Sequence, residues 1–350
     1  MSVIAKALMT ATSQLRPATT AFVVEDDIIY AVDVTNSNSP TLTSSLAINA
    51  GHKKAIYSHS DKRVYAMNDT QVTVIDVADA SSMSIIETET IESDRTNLDL
   101  ALDDAQNRLY ILNNERLHKY RVTSLGISSQ TNEPFNVGDP NDISLGSLCL
   151  DLKNRLAFCG VEDYDGVDVK FRLRIMDIGF SGDDLIRRAS FSGADGTTNG
   201  YIGGALDVSR KYFFFNAQDN GYVIRYDPVD GNEGASDTTI STNTTDFSAN
   251  EGAYLRARDK KVISGEKFFS VTGDLLSIVA TASGSGKMVH DDYSLKSYGI
   301  VSGALKILDT KNPSSVSVLG TYSNADISTS SHCVLNNIGP AATNAYGIGS

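Results

Sequence analysis

One arrangement of apolar and polar positions recurs along the chain. A short apolar strand leads into a polar turn, then a basic or polar residue opens a strand rich in aromatics. The clearest copies are Ala55-Ile-Tyr-Ser-His-Ser-Asp-Lys-Arg-Val-Tyr65 and Leu100-Ala-Leu-Asp-Asp-Ala-Gln-Asn-Arg-Leu-Tyr110. Segments 148–157 and 205–213 repeat it, and 253–262, 288–298 and the stretch from His332 onward carry more divergent copies, which makes seven. A third strand follows each copy and often ends in aspartate, at Asp33, Asp76, Asp177, Asp227 and Asp309. A carboxylate suits that place because it accepts backbone N–H groups from the next turn. A fourth strand follows, such as 41–48 or 315–322. Asp33 and Asp309 stand six copies apart, a period of about 46 residues, and four short strands in such a period match one blade of a β-propeller.

The pattern therefore predicts an all-β chain: a seven-bladed β-propeller of four-stranded antiparallel blades. Inner strands are expected near 55–59, 98–102, 147–151, 203–207, 253–257, 287–291 and 332–336. Within strands such as Val72-Thr-Val-Ile-Asp76 and Leu173-Arg-Ile-Met-Asp177, apolar and polar residues broadly alternate. Helical periodicity is confined to 3–15, where Ile4, Leu8, Ala11 and Leu15 share a face before Pro17. This divides the chain into an amino-terminal arm, 1–20, and one propeller domain, 21–350. The first blade needs both ends of the chain. Its third and fourth strands come from 28–34 and 41–48, and its inner strand comes from Cys333–Asn336, so joining the ends closes the ring and removes sheet edges. Two segments, Phe22–Glu25 and Tyr346–Ile348, compete for its second strand.

The segments Asp33-Val-Thr-Asn-Ser-Asn-Ser-Pro40, Val74-Ile-Asp-Val-Ala-Asp79 and Leu308-Asp-Thr-Lys-Asn-Pro313 resemble the LVIVD repeat, a propeller family named for its third strand. The resemblance implies a propeller with a surface or interaction role and transfers no catalytic residues. Arg121 and Thr272 stand near the place of the aspartate in two copies. Val137-Gly-Asp-Pro140 and Arg108-Leu-Tyr-Ile-Leu-Asn113 are similar, more weakly, to lactonase-type (YVTN) propellers.

Composition narrows the function. With 30 Lys and Arg against 43 Asp and Glu, the formal charge is −13, which opposes a phosphate backbone as partner. No stretch is long and apolar enough to insert in a bilayer. No secretory signal precedes Arg16, so synthesis in the cytoplasm is expected. Cys149, Cys159 and Cys333 are too few and irregular for a disulfide framework or zinc site and read as small core residues.

Candidate chemistry centres on the loops leading into the inner strands, which carry His52, Asp94, Asn97, Asp99, Asp142, Asn199, Glu251 and His332. Of these, His52, Asp99, Asp142, Glu251 and His332 are the metal candidates, because oxygen-rich convergence suits calcium or another divalent cation. The plainer reading is a hydrated polar channel with no cofactor. Asp163-Tyr-Asp-Gly-Val-Asp168 has the look of an acidic calcium loop but lacks the distal glutamate, and reads as a widened hairpin turn. Ser283-Gly-Ser-Gly-Lys287 lacks the first glycine and the final Ser or Thr of a phosphate loop. No catalytic set emerges. The expectation is a non-enzymatic structural or protein-binding subunit of a larger assembly, such as a bacteriophage virion or tail, which binds protein partners or its own copies. Ile4, Leu8 and Leu15 of the arm are its interface candidates. A metal-dependent lactonase-like hydrolase is the alternative.

Overall fold

A computed structural model of the chain describes residues 18–336 apart from 94, 135–145, 165–168, 180–185, 193–201, 208–211, 218–219, 226–237, 244–252, 257–260, 265–266, 273–274, 282–287, 292, 313–314 and 329–330. It is nearly all β. Sheet 1 takes β1 (Thr20–Glu25), β2 (Ile28–Asp33) and β3 (Thr41–Ala47), and sheet 2 takes β4 (Lys54–Ser58), β5 (Arg63–Met67), β6 (Gln71–Asp76) and β7 (Ser84–Thr90). Sheet 3 consists of β8 (Asn97–Asp103), β9 (Arg108–Asn113), β10 (Arg116–Thr123) and β11 (Gly126–Pro134). Sheet 4 contains β12 (Gly146–Asp151), β13 (Leu156–Tyr164), β14 (Val169–Asp177) and β15 (Ile186–Ser192). Sheet 5 has β16 (Ile202–Asp207), β17 (Tyr212–Ala217), β18 (Asn220–Arg225) and β19 (Thr238–Asn243). Sheet 6 runs through β20 (Ala253–Arg256), β21 (Lys261–Ser264), β22 (Lys267–Thr272) and β23 (Leu275–Thr281). Sheet 7 holds β24 (Met288–Asp291), β25 (Lys296–Val301), β26 (Ala304–Asp309) and β27 (Ser317–Ser323). The last strand, β28 (His332–Leu335), returns to sheet 1, where it pairs antiparallel with β1 and gives the order β28-β1-β2-β3. Thus Thr20–Glu25 fills the second-strand place, while 346–348 and the 3–15 helix lie outside the described residues. Ala18 and Thr19, assigned above to the arm, are already bonded to the sheets, Ala18 N to Asp291 of sheet 7 and Thr19 N to Asn336 just after β28.

The alternation of apolar and polar residues does not divide these strands into a dry and a wet face. In sheets 1 to 3, the three inner strands are covered on both faces, and only outer strands such as β3 and β7 are open to solvent. The reason is face-to-face stacking, in which alternate side chains of one strand enter two different cores. Ile56 packs with Leu100, Leu102 and Ile111 of sheet 3, whereas Ala55 and Tyr57 pack with Phe22 and Val24 of sheet 1. Ala101 and Leu112 join Leu148, Leu150 and Cys159 of sheet 4, and Val23 and Tyr30 join Tyr298 and Ile307 of sheet 7. The polar members of the alternation are buried too, Thr73 and Arg174 among them.

Two polar devices recur. Ser58, Asp103, Asp151 and Asp291 end inner strands, and each side chain accepts the backbone N–H three residues on, from Asp61, Gln106, Asn154 and Ser294. The next residue turns left-handed: Lys62, Asn107, Arg155 and Leu295 have φ of 57°, 53°, 59° and 55°. Only asparagine tolerates that region well. The conformation aims each carbonyl at a third-strand end, where the N–H of Val77, Val122, Ile178 and Thr310 donates to it at 2.9–3.0 Å. The second device is the third-strand aspartate. Asp33, Asp76, Asp177 and Asp309 each accept the N–H two residues ahead, from Thr35, Ala78, Gly179 and Lys311.

Every outer strand carries a register shift against the third strand of its sheet. The bulge turns the following residue toward the outer loop of the next sheet. Ser44 Oγ donates to Ala80 O at 2.5 Å, Glu87 accepts from Ile127 N at 2.8 Å, and Gly320 lies so close to Ser37 O that a Cβ would sit 2.1 Å from it.

The seam of sheet 1 is held by more than its ladder. Buried Glu25 accepts from Ser328 N at 3.0 Å, Ser328 Oγ and Ser331 Oγ, which pins the chain just before β28. After β28, Asn336 Oδ1 accepts from Thr19 N and Thr20 N at 3.1 and 3.0 Å. Deleting 331–350 removes β28 and leaves buried backbone groups of β1 unpaired. Each costs about 1–3 kcal/mol, and several approach the roughly 5–15 kcal/mol of a whole domain. The truncated chain is expected to aggregate or lack a cooperative melt by circular dichroism.

Candidate functional site

The register of the four-stranded sheets lines up one position near the start of successive inner strands. His332 lies opposite Val24, Lys54 opposite Met67, Asp99 opposite Leu112 and Ser147 opposite Gly160. All four are buried. Lys54 Nζ lies 3.1 Å from Asp99 Oδ1, with both side chains almost wholly out of solvent. Asp99 also accepts from Leu100 N at 2.9 Å and, through Oδ2, from Leu148 N at 2.8 Å. One carboxylate thus joins the inner strands of sheets 2, 3 and 4. A register shift at Leu98 aims it there. Burial pushes the Asp99 carboxyl above its usual range, and Lys54 and the Leu148 and Leu100 amides pull it back.

His52 sits just ahead of β4. Its Nδ1 donates to Asp26 O at 3.2 Å, its Nε2 lies 3.1 Å from Thr73 Oγ1, and burial lowers its pKa, which favours the neutral ring with its proton on Nδ1. His332 opens β28, one sheet before Lys54. Of the metal candidates, Asp99 and His332 therefore share one level of the inner strands, while His52 is bonded into the face between sheets 1 and 2. Asp142 and Glu251 lie outside the described residues, as do Asp94, Asn199, 283–287 and the arm residues Ile4, Leu8 and Leu15. Asp163 and Tyr164 end β13, ahead of a hairpin whose turn is also outside them. Among the described residues, no three His, Cys, Asp or Glu side chains gather as a metal cage. The three cysteines are free and buried, and burial raises each thiol, as suits core residues without nucleophilic character.

A second polar cluster, absent from the candidates above, lies where the chain leads into sheet 3. Asn113 Oδ1 accepts from Glu115 N and Arg116 N at 2.9 and 2.6 Å, which fixes its amide. Its Nδ2 therefore donates to Glu92 Oε2 at 2.8 Å and to His118 Nε2 at 2.9 Å. His118 is held neutral, and burial pushes its pKa below 6.5 against the pull of Glu92. Arg95 pairs with Glu115 at 2.7 Å, and Arg116 lies 3.8 Å from Glu92. The charges cancel within the cluster. Arg155 makes a comparable link lower in the ladder, donating to buried Asp103 and, at 3.0 Å, to Gln106 of sheet 3.

No family model matches the sequence, and no curated protein matches it. Similarity lies in shape. A protein of unknown function from Desulfotomaculum acetoxidans superposes with a TM-score of 0.63 at 13% identity, over 91% of this chain and 99% of its own. A candidate 6-phosphogluconolactonase of Bacteroides fragilis gives 0.65 at 10% identity, over 87% and 98%. Apo AztD of Citrobacter koseri gives 0.52 at 11%, over 89% and 84%. The fold is propeller-like. No helix among the described residues is long and apolar enough to cross a membrane.

Two outcomes follow from these contacts. Asp99→Ala takes away the carboxylate that faces Lys54 and accepts from the Leu148 amide, and is expected to lower stability by about 3–5 kcal/mol in urea denaturation. Asp99→Asn keeps an acceptor for Leu148 and loses less, and adding Lys54→Met to it restores part of the loss by removing a buried charge that has lost its carboxylate. The second outcome concerns pH. His52 and His118 have folded pKa values below the usual 6.5, so the unfolded chain binds more protons over the interval between. Their contribution is intact above about pH 6.5 and is lost as pH falls toward the lowered values. The melting temperature should drop on going from pH 8 to pH 5, and less steeply in His118→Gln.

Proposed function

We propose that the chain is a single seven-bladed propeller over residues 21–350, closed through sheet 1, and that it acts as a non-enzymatic structural or protein-binding subunit of a larger assembly. The observation that carries this reading is the engagement of its inner polar groups. Asp99, His52, Asn113, Asp103 and Glu25 each bond to a neighbouring sheet or loop. Groups committed in this way make a rigid ring, and recognition falls to its perimeter, its loops and the 1–20 arm. Segments that resemble the LVIVD repeat agree with an interaction role, and acidic charge with Ser-, Thr- and Asn-rich loops fits a particle such as a virion. A lactonase-like activity is the second reading, favoured by the likeness in shape to the candidate 6-phosphogluconolactonase.

One experiment separates the two. Purified full-length protein is expected to hydrolyse 6-phosphogluconolactone no faster than buffer does, with or without added calcium, magnesium or zinc. Turnover that disappears in Asp99→Asn would establish the hydrolase instead. In the same preparation, deletion of residues 2–16 should leave the melting temperature nearly unchanged while weakening association, read by sedimentation velocity.

A further inference from the structure

The side-chain amide of Asn113 is fully committed. Its Oδ1 accepts from Glu115 N and Arg116 N, and of the two hydrogens on its Nδ2 one goes to Glu92 Oε2 at 2.8 Å and the other to His118 Nε2 at 2.9 Å. His118 is buried on β10, whereas Glu92, in the stretch between β7 and β8, has a side chain 24% exposed. Glu92 Oε2 and His118 Nε2 lie 3.6 Å apart on either side of the same amide nitrogen.

This arrangement holds only while His118 Nε2 is an acceptor. A proton taken up there from water makes it a donor, and two donors then face each other at 2.9 Å. Turning the Asn113 amide over gives no relief, because its NH2 would then meet the Glu115 and Arg116 amides. The imidazolium finds an acceptor in Glu92 Oε2, and Asn113 has to give way. What it gives up is its hold on Glu115 N and Arg116 N, the two bonds that close the turn between β9 and β10. That turn is tied to the entry of β8, since Asn114 N donates to Thr96 O at 3.0 Å.

The charged and titratable groups around the ring come from four elements. Glu92 and Arg95 precede β8, Glu115 and Arg116 belong to the turn, and Tyr120 lies on β10 with its ring centroid 6.3 Å from that of His118. Glu89 of β7 acts on the Tyr120 hydroxyl, and Lys119 alternates with His118 along the strand. Burial opposes the proton most, Arg116 opposes it too, and Glu92 favours it, so uptake falls below the usual 6.5.

We propose that His118, Asn113 and Glu92 form an acid-operated switch, in which one proton on His118 redirects its bond to Glu92 and opens the turn at 113–116 while the sheets stay folded. A histidine whose two protonation states demand different partners is the usual basis of such a device. The opening is local, at one corner of sheet 3, and separate from the melting of the whole chain.

Hydrogen exchange of the full chain, read by mass spectrometry, tests the proposal. Corrected for the intrinsic effect of pH on exchange, protection of the Glu115 and Arg116 amides should fall about tenfold from pH 8 to pH 5, the scale of one lost hydrogen bond. Near-ultraviolet circular dichroism should not change over that interval. His118→Gln, whose side-chain oxygen accepts from Asn113 but takes up no proton, should stay protected at both pH values. Glu92→Gln leaves the buried ring untouched and removes the carboxylate that favours the proton, so the same loss should need a lower pH. Unchanged protection at pH 5, a loss that persists in His118→Gln, or a midpoint that does not move in Glu92→Gln overturns the switch. So does a loss that coincides with collapse of the near-ultraviolet signal.

Discussion

Burial on both faces is the constraint from which the rest of this structure follows. A strand in the inner part of a sheet here meets another sheet on either side, so every polar side chain in it must find a protein partner. Lys54, Asp99 and Asp103 of the inner strands are accordingly bonded across the gap between sheets. Lys54 and Asp99 are the clearest instance, because each charge offsets the desolvation of the other, and the amides of Leu100 and Leu148 add to this at Asp99. Such groups contribute register more than net stability. An apolar pair would pack as well, but it would tolerate sliding of one sheet along the next.

Much of the backbone plan was legible in the residues. Asp33, Asp76, Asp177 and Asp309 accept the turn amides that their position called for, while Asp227 lies outside the described residues, and the inner strands fall close to the expected places, including the divergent pair at 253–256 and 288–291. The alternation in 72–76 and 173–177 fits a sheet packed between neighbours: Thr73 and Arg174 are buried, because period 2 in a doubly covered strand separates two cores rather than core from water.

The candidate site was legible only in part. Asp99 and His332 were named for their place ahead of an inner strand, and both are at that level. The partner of Asp99 was missed, although the copies hold the signal: Lys54 and Asp99 occupy the same position in consecutive repeats, one residue before Ala55 and Leu100. Residues at one level of adjacent sheets are neighbours however far apart they lie in sequence. The cluster of Glu92, Asn113 and His118 had no such signal. It depends on the rotamer of one asparagine, set by two backbone amides of its own turn.

The return of β28 to sheet 1 also bears on how the chain is made. Residues 20–47 leave the ribosome well before β28, and the edge of β1 at Ala21–Val24, which pairs with His332–Leu335, has no partner until residues near 335 are synthesised. At about 5–20 residues per second, that edge waits roughly 15–60 s. During that time an unguarded strand of Ala, Phe and Val is exposed on the nascent chain, so the hazard in producing this protein is greatest before its last strand exists.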